Sequence, residues 1–377
     1  MNWHTQPLSS LGRVQTGSTP STSEERYWGG EIPFVTPGEL DQSIPVTFAS
    51  RTLSDEGGRE TRLLREGAVM VCCIGSLGKI GIAGRTLATN QQINSVEFDP
   101  QRIWPRFGFY ACQRLKPKLL TMAPATTVPI VSKSKFEQLE IPVPSIPEQR
   151  RIAAILDQAD ALLGKRREAL VQMDNLRQSI FLDMFGNPAT NPRGWALRTL
   201  KQLGKVITGG TPPSAKEGMF DGSIPFVTPG DLESEVPVKR SLTDAGAAEV
   251  GTVCAGATLV CCIGTIGKMY KATTQSAFNQ QINAVEWSTE VNDSYGFAAI
   301  RFFKPTLVAW GASTTVPILK KSSFEQLEIP VPPIGLQTEF AQRIQAMEKL
   351  QDKHRGSLIQ LDVLFSALKD QAFRGEL

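Results

Sequence analysis

Two textures alternate along the chain. In the first, short apolar runs such as FVTPG, AVMVCCIG, NSVEF and EQLEIPVP are bounded by Gly, Pro and Thr. Runs of this length between turn residues predict short strands. RFGFYACQRL and, later, YGFAAIRFF predict short helices covering them. In the second texture, residues 148–185 contain no proline and one glycine, Gly164. Apolar residues recur there at Ile152, Leu156, Ala159, Leu163, Leu170, Met173, Ile180 and Met184. They alternate steps of four and three, with polar gaps at Arg166 and Arg177, which is the heptad seam of a long helix. Ile155, Leu162, Ala169 and Leu176 widen the stripe. Ser145 and Glu148 fit a capping box at its start, with Pro147 in the first turn.

This pattern is written twice. LGRVQTGSTP at Leu11 returns as LGKVITGGTP at Leu203, and IPFVTPGEL at Ile32 as IPFVTPGDL at Ile224, both offset by 192 residues. VCCIG at Val71 and NQQIN at Asn90 return at Val260 and Asn279, offset by 189. TTVPIVSKSKFEQLEIPVP at Thr126 matches the stretch at Thr314 in 16 of 19 positions, offset by 188. The unit is far too long for a solenoid repeat and reads as a tandem duplication of a domain plus its connector. The seam returns at Phe340, Ile344, Met347, Leu358, Leu361, Phe365, Leu368 and Ala372, with polar Gln351 and His354 between them.

The expected fold is therefore an α/β (α+β) globule, repeated in tandem, each copy followed by a long α-helix. The boundaries are residues 1–145, 146–186, 187–333 and 334–377. A helix of 38 residues spans roughly 57 Å and needs a partner. Pairing of the two matching seams as an antiparallel coiled coil is preferred to each helix packing on its own globule. Such pairing gives the duplicated chain an approximate two-fold axis, with a globule at either end of a rod.

Composition narrows the function. In 377 residues there is no run of about 18 apolar residues, so no membrane span is expected. MNWHTQPLSSLGR does not read as a signal peptide, which points to the cytoplasm. The six cysteines include the adjacent pairs Cys72-Cys73 and Cys261-Cys262. Strand neighbours face opposite ways, so these read as buried thiols and no metal site is expected. A net charge of +3 is compatible with nucleic acid without arguing for it.

No catalytic constellation emerges. A DNA amine methyltransferase needs a Gly-rich cofactor loop and an Asn/Asp-Pro-Pro-aromatic motif. Asn187-Pro188-Ala189-Thr190 and Asn191-Pro192-Arg193-Gly194 lack its second half and fit a turn. Gly75-Ser76-Leu77-Gly78-Lys79 resembles a phosphate loop, but its spacing is too short and Ile80 stands where Ser or Thr is required. Gly264-Thr265-Ile266-Gly267-Lys268-Met269 fails in the same way.

Four duplicated stretches are suited to nucleic acid. The glycine turns present Lys79 and Lys268, either to a phosphate or simply to solvent. Thr16, Gly17, Ser18 and Thr19, with Thr208, Gly209, Gly210 and Thr211, offer hydroxyls and bare amides for phosphates. Asn90, Gln91 and Gln92, with Asn279, Gln280 and Gln281, offer amides that either pair with adenine edges or satisfy buried backbone. Thr126 and Thr127 with Ser132, Lys133, Ser134 and Lys135 form a phosphate ridge or a solvated loop. Thr314 and Thr315 with Lys320, Lys321 and Ser322 are the counterpart. Segments that differ between copies, 21–31 against 213–223 and 95–125 against 284–313, are candidate readers of sequence.

The ordered strings L-G-x-V-x-T-G-x-T-P, I-P-F-V-T-P-G-[ED]-L, I-G-x-x-G-K, N-Q-Q-I-N and F-E-x-L-x-I-P-x-P-x-x-x-x-Q resemble the specificity subunit of type I restriction–modification systems over essentially the whole chain. Phe185-Gly186-Asn187-Pro188 and the terminal Phe373-Arg374-Gly375-Glu376-Leu377 are similar too. The resemblance implies a non-catalytic subunit whose two target-recognition domains read a split target in double-stranded DNA. It implies helices that set the gap and dock two methylation subunits, and motor–nuclease subunits that join for cleavage. It implies no cofactor on this chain, with S-adenosylmethionine, and ATP and Mg for cleavage, on the partners. Recognition domains of one such subunit often differ; here they are close copies, so an interrupted palindrome or near-palindrome is expected. Two other readings are a nucleic-acid-binding scaffold without methylation partners and an autonomous restriction–methylation enzyme; the missing motifs count against the enzyme.

Overall fold

The run VMVC is apolar at every position because its strand is buried on both faces. In the computed structural model, which describes residues 3–123, 128–213, 216–234, 236–312 and 316–377, Val69–Cys72 lies inside an antiparallel sheet. The strand order is Gly12–Thr16, Ile93–Phe98, Val69–Cys72, Ile80–Ile82. Val69, Val71 and Cys73 enter a core shared with helix Pro105–Gln113. Met70 and Cys72 enter a second core with Val35, Leu64 and Leu87. Adjacent cysteines thus go to different cores, and burial pushes the Cys73 thiol up to about 12.

The second core is closed by another sheet, ordered Arg51–Leu53, Trp28–Val35, Leu87–Thr89, Leu63–Leu64. Its pair Trp28–Val35 and Leu87–Thr89 runs parallel; its other pairs are antiparallel. These strands belong to a compact unit formed by Met1–Glu168 and Gly356–Leu377. The unit Ala169–Arg355 repeats the plan. Its first sheet is Gly204–Thr208, Ile282–Trp287, Thr258–Cys261, Met269–Lys271, and its second is Ser241–Leu242, Phe220–Val227, Ala277–Phe278. Of EQLEIPVP only Glu140–Pro142 is strand, paired with Thr5–Pro7; the residues just before it, Lys133–Phe136, wind into a helical turn.

The long helices are Ile146–Phe185 and Ile334–Arg374. Each unit contains a stretch of both. In the first unit they run antiparallel: Arg151 donates to the Leu377 carbonyl and Arg167 pairs with Asp362 at 2.9 Å. In the second, Arg177 donates to Gln351 at 2.9 Å, and Phe181 and Phe185 pack on Phe340. The two packing modes weighed from the sequence coexist: Ile152 and Leu156 enter the same core as Phe365, Ala372 and Phe373. Of the seam, Ile152, Leu156, Leu163, Met184, Phe340, Ile344, Phe365 and Ala372 are buried. Ala159, Leu170, Met173, Ile180, Met347, Leu358, Leu361 and Leu368 are half-buried.

Two helix expectations need correction. Leu162 and Leu176 do not widen the buried stripe but lie exposed, because the partner helix covers only the narrow seam. Glu148 does not close a capping box; both its oxygens accept from Arg151. The helix start is held by Gln149 instead. Its side chain is fully buried, accepts from the Trp104 N–H at 2.7 Å and donates to the carbonyls of Arg102 and Pro144. Gln337 repeats the arrangement with Asn292, Glu290 and Pro332.

Among the described residues no helix is long and apolar enough to cross a membrane. No group of three or more His, Cys, Asp and Glu residues there is placed to hold a metal ion.

Candidate nucleic-acid interface

Each unit gathers its duplicated strings at one cluster of strand-end loops. Strand Gly12–Thr16 pairs with Ile93–Phe98, so the T-G-x-T string that leaves one meets the N-Q-Q-I-N string that enters the other. Thr16 donates to the Asn94 side chain and Thr19 to the Gln91 side chain, each at 2.6 Å. The second unit repeats both bonds: Thr208 to Asn283 at 2.7 Å and Thr211 to Gln280 at 2.6 Å. Gly17 is required for this docking. A Cβ there would stand 2.3 Å from the carbonyl oxygens of Thr89 and Asn90, and one on Gly209 equally close to that of Phe278. Ser18 is held as well, its N–H on the Thr89 carbonyl and its hydroxyl 2.9 Å from that of Thr61. Gly210 follows with its N–H on the Phe278 carbonyl.

Within the amide string, Asn90 is buried and turned inward. Its side chain donates to Gln92 and accepts the Gln92 N–H, and Asn279 does the same to Gln281. Gln91 and Gln280 are the exposed members. Each has one carbonyl lone pair occupied by a threonine hydroxyl, and its amide N–H groups have no hydrogen-bond partner among the described residues. The string thus divides by position: Asn90, Gln92, Asn279 and Gln281 satisfy the loop, while Gln91 and Gln280 face outward.

The glycine turns flank this string. Gly75, Gly78, Gly264 and Gly267 all have φ between 76° and 84°, a region open to glycine. The amides of Gly75, Leu77, Gly78 and Lys79 already bond backbone carbonyls, so they form no empty grip for a phosphate. Lys79 is half-buried and donates to the Pro37 carbonyl at 3.3 Å. Lys268 occupies the matching half-buried place. Ser76 and Thr265 are the turns' exposed side chains.

Pro129 joins the turn by accepting the Gly75 N–H, as Pro317 accepts that of Gly264. The expected Thr126, Thr127, Thr314 and Thr315 lie outside the described residues. Ser132 caps the turn Lys133–Phe136 by accepting the Lys135 N–H, with its hydroxyl 3.0 Å from Ser134. Lys133 and Lys321 pair with Glu137 and Glu325. Lys320 and Ser322 stand exposed beside them.

Three features were not legible in advance. Asn94 and Asn283 end the N-Q-Q-I-N strings as buried acceptors of the threonine hydroxyls. Arg62 donates to the Thr16 carbonyl at 2.9 Å, placing an exposed cation at the cluster. Glu39 ties the T-P-G-E-L loop by accepting from Thr36 and Ser50. Burial alone would raise its carboxyl, but these hydrogen bonds outweigh it and hold the group below its ordinary range.

This double assembly of loops on sheets beside paired helices is the setting in which comparison with known proteins is informative. Residues 1–172 and 192–362 match the type I restriction modification DNA specificity domain, and the chain belongs to that family of non-catalytic specificity subunits. It is similar to the type I restriction enzyme MjaIX specificity subunit of Methanocaldococcus jannaschii. That relative is 23% identical over 417 residues, covering 100% of this chain and 94% of the relative. The HindI specificity subunit of Haemophilus influenzae is 27% identical over 147 residues, 38% of this chain and 32% of the relative. In fold, the chain resembles the type I restriction–modification S subunit from M. genitalium. Their TM-score is 0.60 at 15% identity, over 99% of this chain and 96% of the other. A structure of a type I system described for its complex assembly aligns at TM-score 0.59 and 17% identity, over 100% and 98%.

Proposed function

We propose that this chain reads a split target in double-stranded DNA, one half with each unit's loop cluster, and directs adenine methylation to it. The observation that carries this reading is the repetition of one polar loop cluster. The bonds Thr16–Asn94 and Thr19–Gln91 recur as Thr208–Asn283 and Thr211–Gln280, leaving Gln91 and Gln280 exposed in like settings. Two readers built alike favour two half-sites that are alike, so the target is an interrupted palindrome or near-palindrome. Residues 1–145 and 187–333 act as the recognition domains, and 146–186 with 334–377 set the gap.

Exposed apolar side chains on the helices, among them Leu162, Val171, Leu176, Ile359 and Val363, support docking of two methylation subunits. Those subunits bring S-adenosylmethionine. Restriction subunits bring ATP and Mg for cleavage, and the complex works in the cytoplasm. Within the clusters Thr19, Gln91, Thr211 and Gln280 face the DNA, while Ser132, Lys133, Ser134, Lys320, Lys321 and Ser322 follow its backbone.

Selection from a random duplex library by the chain assembled with its methylation subunit tests this reading. Enrichment of two like half-sites at one fixed gap is expected. Enrichment of a single undivided site would overturn the two-reader account, and two unrelated halves would overturn the palindrome.

A further inference from the structure

Two segments that differ between the copies, 21–31 and 213–223, each carry an aromatic ring, Trp28 or Phe220, that meets a side chain that does not change. In the first unit Trp28 meets Phe34 edge to face at 5.2 Å, and the Arg51 guanidinium lies 3.7 Å over the Trp28 ring. In the second, Phe220 stands where Trp28 does, at the same offset of 192 that relates Phe34 to Phe226. The Arg240 guanidinium lies 5.4 Å from the Phe220 ring and 5.2 Å from that of Phe226. The aromatic partner varies while the arginine and its place beside the ring pair persist, close over Trp28 in the first unit and shared between Phe220 and Phe226 in the second.

Both arginines are exposed, and among the described residues neither guanidinium has a hydrogen-bond acceptor or a carboxylate partner. A guanidinium held by its flat face keeps its N–H edge for a ligand and loses less freedom on binding. Both also stand beside the loop cluster. Arg51 pairs with Phe34; the next residue, Val35, pairs with Thr89 and accepts the Asn90 N–H. In the second unit the Phe226 N–H bonds the Arg240 carbonyl, and Val227 accepts the Asn279 N–H. Each arginine is therefore one rung from the amide string.

From this geometry we infer that Arg51 and Arg240 are specificity-determining residues, each reading the O6/N7 edge of a guanine at the same position of its own half-site. Arginine's planar fork matches that edge with two hydrogen bonds. The inference rests on the DNA-reading function proposed above and adds to it that a guanine recurs symmetrically in the two halves.

The test uses the chain assembled with its methylation subunit. Methylation of competing duplexes is compared for wild type, Arg51→Ala, Arg51→Lys and Arg240→Ala. Arg51→Ala is expected to relax discrimination at one position of one half-site by roughly 5- to 150-fold, and Arg240→Ala at the matching position of the other half. Arg51→Lys, which keeps the charge and loses the planar fork, is expected to keep overall affinity and to recover the base choice only in part. Uniform weakening on every sequence, restored by lysine, would mark a phosphate contact and overturn the inference, as would unchanged discrimination. A second arm needs no variant: 7-deazaguanine at the read position should weaken wild-type binding and leave Arg51→Ala unaffected, and equal binding by wild type would overturn it. Failure of the underlying function is a separate outcome, since the wild-type complex would then show no chain-dependent methylated motif at all.

Discussion

Thr19 donates its hydroxyl to the Gln91 side chain at 2.6 Å, and Thr211 makes the same bond to Gln280. The bonds join loops 72 and 69 residues apart and leave each exposed glutamine's N–H groups without a partner among the described residues. Gln91→Ala should lower discrimination in one half-site only, and Gln280→Ala in the other, by about 1–3 kcal/mol each. Thr19→Val should act on the same half as Gln91→Ala, but less. Competition between duplexes mutated in one half at a time reads this; an equal effect on both halves would contradict it.

Gly17 gives the sharpest steric prediction. A methyl group there meets two backbone carbonyls at 2.3 Å; that of Thr89 holds the Ser18 N–H and that of Asn90 the Ile93 N–H, so a retreat of either breaks a bond of the cluster. Gly17→Ala should cost about 1–3 kcal/mol of stability and abolish reading by the first unit. Denaturant unfolding with half-site competition checks both effects. Gly29→Ala tests a different rule: its methyl group meets nothing, so any cost comes from its φ of +83°.

Gln149 and Glu148 are neighbours with opposite expectations. Gln149→Ala removes a fully buried side chain that partners three backbone groups and should cost about 1–3 kcal/mol. Glu148→Ala removes only an exposed pair with Arg151 and should stay within about 0.5 kcal/mol of wild type. Urea unfolding of the two variants decides whether the glutamine is the bolt between globule and helix.

Phe181 is buried against Phe185, Tyr295, Phe302 and Phe340. Phe181→Ala empties the centre of that ring cluster, so a loss of about 3–5 kcal/mol is expected. Thermal unfolding measures it. A loss below about 1 kcal/mol would mean the first helix is not integral to the second unit.

Glu39 makes stability depend on acid. Its folded-state group sits below its ordinary range because the bonds from Ser50 and Thr36 outweigh burial. Its contribution is therefore fully present above the unfolded value of about 4.3 and is lost as pH falls through the folded value. Wild type should exceed Glu39→Gln in melting temperature at pH 7, and the gap should shrink as pH falls from the unfolded value through the lower folded one. A gap independent of pH would contradict the assignment.

Much of this architecture was legible in the chain because burial leaves a periodic trace. The seam from Ile152 to Leu368 could be read from spacing, since residues that recur at steps of four and three share one face of a helix and that face is the one turned inward. Leu162 and Leu176 were misplaced because spacing marks an apolar position without saying what covers it. The site was legible as strings and illegible as contacts. Nothing local pairs Thr19 with Gln91 or Arg51 with Trp28; sheet order does the first, and an irregularity between Trp28 and Ile32 in the register with Arg51–Leu53 brings the second within reach. Gln149 ends one of the strings that carry the resemblance, but its role stayed hidden because a buried glutamine on a helix has the same letter as a solvated one.

The central claim is that this one chain supplies both halves of a split address. Single-molecule methylome sequencing of a methylation-free host tests it most directly, with the methylation subunit expressed both with and without the chain. The account predicts adenine methylation at a split, near-palindromic motif that appears only when the chain is present. Absence of any chain-dependent motif, with the partner shown to be expressed and bound, would contradict it and leave a nucleic-acid-binding scaffold.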